Sequence, residues 1–131
     1  VGRDLRGVDV DLADFSDTAP TLAAVAAVAD SPTRVRGIGF VRGKESDRIG
    51  GVITELGRLG VDATEHDDGF TIYPGRVRPE VVRTYADHRM AMAFSLLGVV
   101  SDGVAIADPG CVAKTFPGFW GVLESVRAGA E

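Results

Sequence analysis

From Thr21 to Ala29 the chain is almost entirely Ala, Leu and Val. A helix that is apolar on every side has no face to offer water and must be covered all round, which already demands a layered fold. Ser16, Asp17 and Thr18 are candidate caps before it, and Pro20 suits a first helical turn. Upstream, Val8, Val10 and Leu12 alternate with Asp9 and Asp11, the two-residue period of a half-buried strand. Downstream of the Asp30-Ser31-Pro32 break, Thr33 to Ile38 reads as a second strand, and Ile49, Val52, Ile53, Leu56 and Leu59 fall at helical spacing up to Gly60. Val61 to Glu65 and Phe70 to Tyr73 flank His66-Asp67-Asp68-Gly69, whose Asp-Gly pair signals a hairpin. The result is a βαβαββ unit over about 7–74. After the short linker Pro74 to Pro79 the pattern resumes with an apolar helix from Met90 to Val100 and a strand from Val104 to Ala107. Phe119, Trp120, Val122, Leu123 and Val126 form the apolar face of a last helix. These elements make a second, incomplete unit over about 80–127, so the chain is read as α/β and as one segment, 1–131.

At 131 residues, 45% hydrophobic and 25% charged, the chain is long enough for one core, and its composition argues against disordered and coiled-coil classes. With 14 Lys and Arg against 19 Asp and Glu, the net charge of -5 disfavours nucleic acid and anionic membranes as partners. Any anion site must therefore be local. The single cysteine, Cys111, reads as a small packed residue; no neighbours supply metal-ligand spacing, and a reducing, cytoplasmic setting is expected. No uncharged apolar stretch approaches the ~18 residues of a membrane span. Neither a Walker loop nor a dinucleotide fingerprint is present. The lack of an initiating Met suggests a piece of a longer chain.

The placement of the cations carries the chemistry. Lys44 and Arg48 sit in Lys44-Glu45-Ser46-Asp47-Arg48, at the expected start of the second helix, where positive side chains oppose the macrodipole. His88 and Arg89 precede the helix expected from Met90, and Lys114 precedes Thr115, a candidate N-cap, and Pro117, a candidate first-turn proline. Neighbouring acids could neutralise each group. Adjacent residues of a helix do not face each other, however, so Asp47 is badly placed for Arg48 and an external anion is the better partner. Free N–H groups at helix starts together with Arg and Lys make such a site. Asp17 is either an N-cap or a functional acid, and Glu45 either a solvated neighbour or a general acid/base. His88 is as consistent with a helix-start hydrogen bond as with catalysis, and His66 is expected to be exposed in its turn.

Four stretches resemble the C-terminal part of the 5-enolpyruvylshikimate-3-phosphate synthases, members of the enolpyruvyl transferase (inverse α/β barrel) fold. They are Asp17-Thr18-Ala19-Pro20-Thr21, Lys44 to Ile49, Tyr85 to Ala93, and Asp108 to Pro117. The resemblance implies transfer of the enolpyruvyl group of phosphoenolpyruvate to the 5-hydroxyl of shikimate 3-phosphate with release of phosphate, and no metal or organic cofactor. By the same likeness Asp17 contacts the shikimate hydroxyl as the favoured base and Lys44 helps hold that substrate. Arg48, Arg89 and Lys114 bind phosphoenolpyruvate, with Lys114 a further candidate for proton transfer. Glu45 exchanges protons with the methylene carbon, and His88 stands beside the arginine.

Two departures temper the resemblance. The family's enzymes are several times longer, and their cleft draws residues from a second domain whose lysine, serine-rich segment and arginine have no counterpart here. The chain is thus expected to need that N-terminal portion as a partner and to be inactive alone. Phe40 stands where some members carry an Asn that contacts the shikimate substrate. The alternative is a non-catalytic anion-binding or regulatory module that kept the fold.

Overall fold

A computed structural model describes residues 5–113 and 115–130. The described chain runs β1 (Asp9–Asp11), α1 (Ala19–Ala26), β2 (Thr33–Arg36), α2 (Gly50–Arg58), β3 (Asp62–His66) and β4 (Gly69–Tyr73). It continues through β5 (Glu80–Val82), α3 (His88–Ser95), α4 (Leu97–Val100), β6 (Val104–Ile106) and α5 (Phe119–Ala130). A four-stranded sheet has the order β1-β2-β4-β3, with β1 parallel to β2 and β4 antiparallel to both of its neighbours. β5 and β6 pair in parallel as a separate two-stranded sheet.

Alternation within the strands decides which side of the large sheet the helices cover. Val35 is paired with Phe70 and Thr33 with Ile72, and all four are buried. The intervening Arg34 and Thr71 point the other way, as do Asp9 and Arg36, which form a 2.7 Å surface ion pair. On the covered side, α1 presents Ala19, Ala23, Ala24 and Ala26, small enough for α3 to come close with Met90 and Phe94. α2 adds Val52 and Leu56 and ends where left-handed Gly60 lets the Val61 N–H donate back to the Leu56 carbonyl. At the hairpin, Gly69 passes so close to β2 that a Cβ would stand 1.9 Å from the Val35 carbonyl oxygen.

Several expectations need correction. The second helix begins only at Gly50, so Lys44 and Arg48 are not in its first turn. The reason is Asp47, whose Oδ1 accepts from the Ile49 and Gly50 N–H groups at 3.0 and 2.9 Å and ends the preceding loop. The stretch 90–100 is two helices that meet at Leu96. The last helix starts at Phe119, which leaves Thr115 and Pro117 outside it. Its expected apolar face is partly bare, with Val122 and Val126 exposed. His66 is not a loose turn residue: it closes β3, and its Nε2 lies 2.9 Å from Thr71 Oγ1.

Candidate active site

The beginnings of α1, α2 and α3 converge, and each contributes charge. Asp17 lies in a 3₁₀ turn, Ala13–Thr18, just before α1. It does not cap that helix, which has no side-chain cap; its carboxylate turns instead to Arg48 in the loop ahead of α2 and to Arg89 in the first turn of α3. Glu45, Ser46 and Arg48 belong to the loop before α2, while Asp87 is the N-cap of α3 and accepts from the Arg89 N–H at 2.9 Å.

Arg48 is the hub. Its side chain is 2% exposed, and its Nε donates to Asp87 Oδ2 at 2.9 Å while Nη2 donates to Asp87 Oδ1 at 3.1 Å, a two-point contact with a fully buried acid. Nη1 donates to Asp17 at 3.0 Å, and Nη2 also meets Glu45. Ser46 Oγ completes the Asp87 shell at 2.7 Å. Burial opposes charge on Asp87, but the hydrogen bonds from Arg48, Ser46 and the Arg89 amide outweigh it and hold the carboxyl below its ordinary value. Burial likewise works against the Arg48 guanidinium, and Asp87, Glu45 and Asp17 together push it up. An external anion is therefore not needed to neutralise Arg48, contrary to the expectation from its position in the sequence. Three acids from three segments already do so.

Arg89 is the more open cation. Its side chain is 39% exposed, and Nη2 reaches Asp17 Oδ2 at 3.5 Å. Asp17 and Glu45, at 52% and 53%, present their carboxylates at the water-facing side of the cluster. His88 Nδ1 lies 4.0 Å from Asp87 Oδ1. Lys44 stands apart from these contacts, its Nζ 5.8 Å from the centre of the exposed Phe40 ring. Lys114 lies outside the described residues. Glu45, Asp87 and His88 bring potential ligand atoms within 4.8 Å of one another. Both Asp87 oxygens are already occupied by four donors, however, and a cation there would have to compete with Arg48.

Asp87 adjoins His88 and Arg89 in the sequence, which suggests a local role, whereas it serves Arg48, 39 positions away. Glu55 and Tyr85 were missed. The available signal was Glu55 itself, an acid three positions after Val52 on the buried stripe of α2. A tether from Arg42 to Asp47 (3.1 Å) and Glu65 (2.7 Å) fixes the Lys44–Asp47 loop against the hairpin.

Residues 1–123 match the family model of EPSP synthase (3-phosphoshikimate 1-carboxyvinyltransferase). The 3-phosphoshikimate 1-carboxyvinyltransferase of Nostoc punctiforme is 49% identical over 118 residues, covering 90% of this chain and 28% of the relative. That of Methanoculleus marisnigri is 46% identical over 120 residues, covering 92% of this chain and 28% of the relative. A solved structure of EPSP synthase from Acinetobacter baumannii superposes with a TM-score of 0.85 at 30% identity, over 92% of this chain and 30% of that one. The chain thus spans less than a third of the length of these relatives. Across that span its sequence and its βαβαββ architecture agree on one assignment: the chain belongs to the EPSP synthase (3-phosphoshikimate 1-carboxyvinyltransferase) family.

Proposed function

We propose that this chain forms one wall of a cleft that transfers the enolpyruvyl group from phosphoenolpyruvate to the 5-hydroxyl of shikimate 3-phosphate and releases phosphate. The observation that carries the reading is the convergence of Asp17, Glu45, Arg48, Asp87 and Arg89, from three separated segments, into one network of contacts no longer than 3.5 Å. The two arginines are the cationic cradle for phosphoenolpyruvate, with Arg89 reaching the guest directly. Arg48 reaches it when the half-exposed Asp17 and Glu45 give way, and Lys114 joins them from the third recognised stretch.

In this reading Asp17 takes the proton of the attacking 5-hydroxyl. Glu45 exchanges the proton of the methylene carbon, Lys44 holds the shikimate substrate beside Phe40, and His88 lines the same wall. Positive character on the central carbon and charge on the departing phosphate are met by groups already fixed in place, which is where such a site gains most. The stretches 7–74 and 80–127 act as successive structural units of the wall. The other wall is the N-terminal portion present in the longer relatives, and the setting is cytoplasmic. The sequence similarity over nearly the whole chain supports this reading. Among the described residues, no helix is long and apolar enough to cross a membrane.

The test is turnover and binding. Given both substrates at saturation, the chain alone should release no phosphate; joined to the N-terminal portion of a relative, it should. In the joined enzyme Arg89→Ala should weaken phosphoenolpyruvate binding by about 1.5–3 kcal/mol, the scale of a charge-assisted contact. Unchanged affinity would remove Arg89 from the site.

A further inference from the structure

The backbone just ahead of Asp87 is under strain. Tyr85 and Ala86 are both left-handed, with φ of 56° and 55°, a region that side chains other than glycine rarely adopt, and here two such residues stand in succession. The turn lies between β5 and Asp87 and is closed by one backbone bond, from the Asp87 N–H to the Thr84 carbonyl at 2.9 Å. Something outside the turn must hold it.

The side chains identify the holder. Glu55 on α2 is fully buried, and one of its oxygens accepts from the Tyr85 hydroxyl at 2.5 Å while the other accepts from the Arg83 N–H at 2.7 Å. Arg58 Nε lies 3.3 Å from the same carboxyl group. The Tyr85 ring rests against Gly51, where a Cβ would stand 3.5 Å from the ring and 3.3 Å from Met90 Cε. A buried acid on an otherwise apolar stripe thus grips the chain entering the strained turn at two points, the Arg83 N–H and the Tyr85 hydroxyl. None of these contacts touches Asp17, Arg48 or Arg89.

We propose that Glu55 and Tyr85 are a positioning pair, a latch from α2 that holds the left-handed Tyr85–Ala86 turn and so sets Asp87 against Arg48 and Arg89 over Asp17. The proposal deepens the reading of that cluster as the phosphoenolpyruvate wall and rests on it for its functional meaning. Its structural core can be tested without any ligand.

The experiment follows the Arg48 Nε–H resonance by NMR in this chain, with Tyr85→Phe, Glu55→Gln and Tyr85→Phe/Ala86→Gly. Tyr85→Phe keeps the ring on Gly51 and loses only the hydroxyl. It should speed exchange of the Arg48 Nε proton with water by about tenfold while amides of β2 and β4 exchange as before. Glu55→Gln keeps an acceptor for Arg83 and should act in the same direction. Adding Ala86→Gly to Tyr85→Phe should restore slow exchange, because glycine adopts the turn without a latch. Unchanged Arg48 exchange in Tyr85→Phe, or acceleration spread evenly over all amides, would overturn the proposal. If Tyr85→Phe does not fold, rescue by Ala86→Gly supports it, and failure of that rescue counts against it. In the joined enzyme Tyr85→Phe should raise KM for phosphoenolpyruvate about tenfold with little change in kcat. A wild-type joined enzyme without phosphoenolpyruvate affinity would refute the functional reading and leave the NMR result standing.

Discussion

Replacing Asp87 by Asn tests the centre of the structure with almost no change of shape. The carboxylate accepts four hydrogen bonds: Ser46 Oγ and Arg48 Nε on one oxygen, Arg48 Nη2 and the Arg89 N–H on the other. An amide keeps one acceptor oxygen and turns an NH₂ toward the remaining two donors, whichever way it is flipped. Breaking one side of a buried ion pair costs about 3–5 kcal/mol. Arg48 would retain Asp17 and Glu45, but these are half in water and meet only its outer edge. The lower end, about 3 kcal/mol, is therefore expected in urea unfolding at neutral pH, with an unchanged m-value. A loss under about 1 kcal/mol would refute the claim that Asp87 and Arg48 depend on each other. The pH dependence has a definite sign. Asp87 is held below its ordinary value in the folded chain, so its contribution is full above the unfolded carboxyl range and fades as pH falls through the folded value. Wild type and Asp87→Asn should therefore converge in stability only in acid, below about pH 4.

Two further perturbations probe the frame that carries the site. Gly69→Ala would force a Cβ to within 1.9 Å of the Val35 carbonyl oxygen in the middle of the large sheet. A loss of about 3 kcal/mol or insoluble expression is expected, and a variant as stable as wild type in urea would show that β2 and β4 can part cheaply. Phe94→Ala empties a fully buried position where α3 meets α1, for an expected cost of about 3–5 kcal/mol by thermal or urea unfolding. A cost under about 1 kcal/mol would mean that this helix pair does not hold the core together.

Much of the architecture was legible because two periods do not overlap. Val8 to Leu12 alternates, Ile49 to Leu59 repeats at helical spacing, and Asp68-Gly69 marks the hairpin, so the β-α-β-α-β-β order follows from local pattern alone. What local pattern could not supply is long-range pairing. Arg48 looked stranded near a helix start because its partners, Asp17 and Asp87, are 31 and 39 positions away. Arg48 reads as a first-turn residue because nothing in the sequence distinguishes an Asp47 that begins a helix from an Asp47 inside one. The last helix has the apolar face its spacing implies, yet Val122 and Val126 meet water, since periodicity reports which face is apolar and not whether anything covers it. Glu55 and Tyr85 were invisible because a buried acid reads as an ordinary surface charge until its partners come into view.

The two sheets differ in size, and the cluster is bolted across them. Asp17 and Arg48 stand on the side of the four-stranded sheet, whereas Asp87 and Arg89 follow directly from β5, one of only two short parallel strands. A pair of three-residue strands has little cohesion of its own. The helix α3, which carries Arg89, packs instead on α1 through Met90 and Phe94 in the same core as the larger sheet, so helix packing rather than the β5–β6 pairing keeps the two halves of the cluster together.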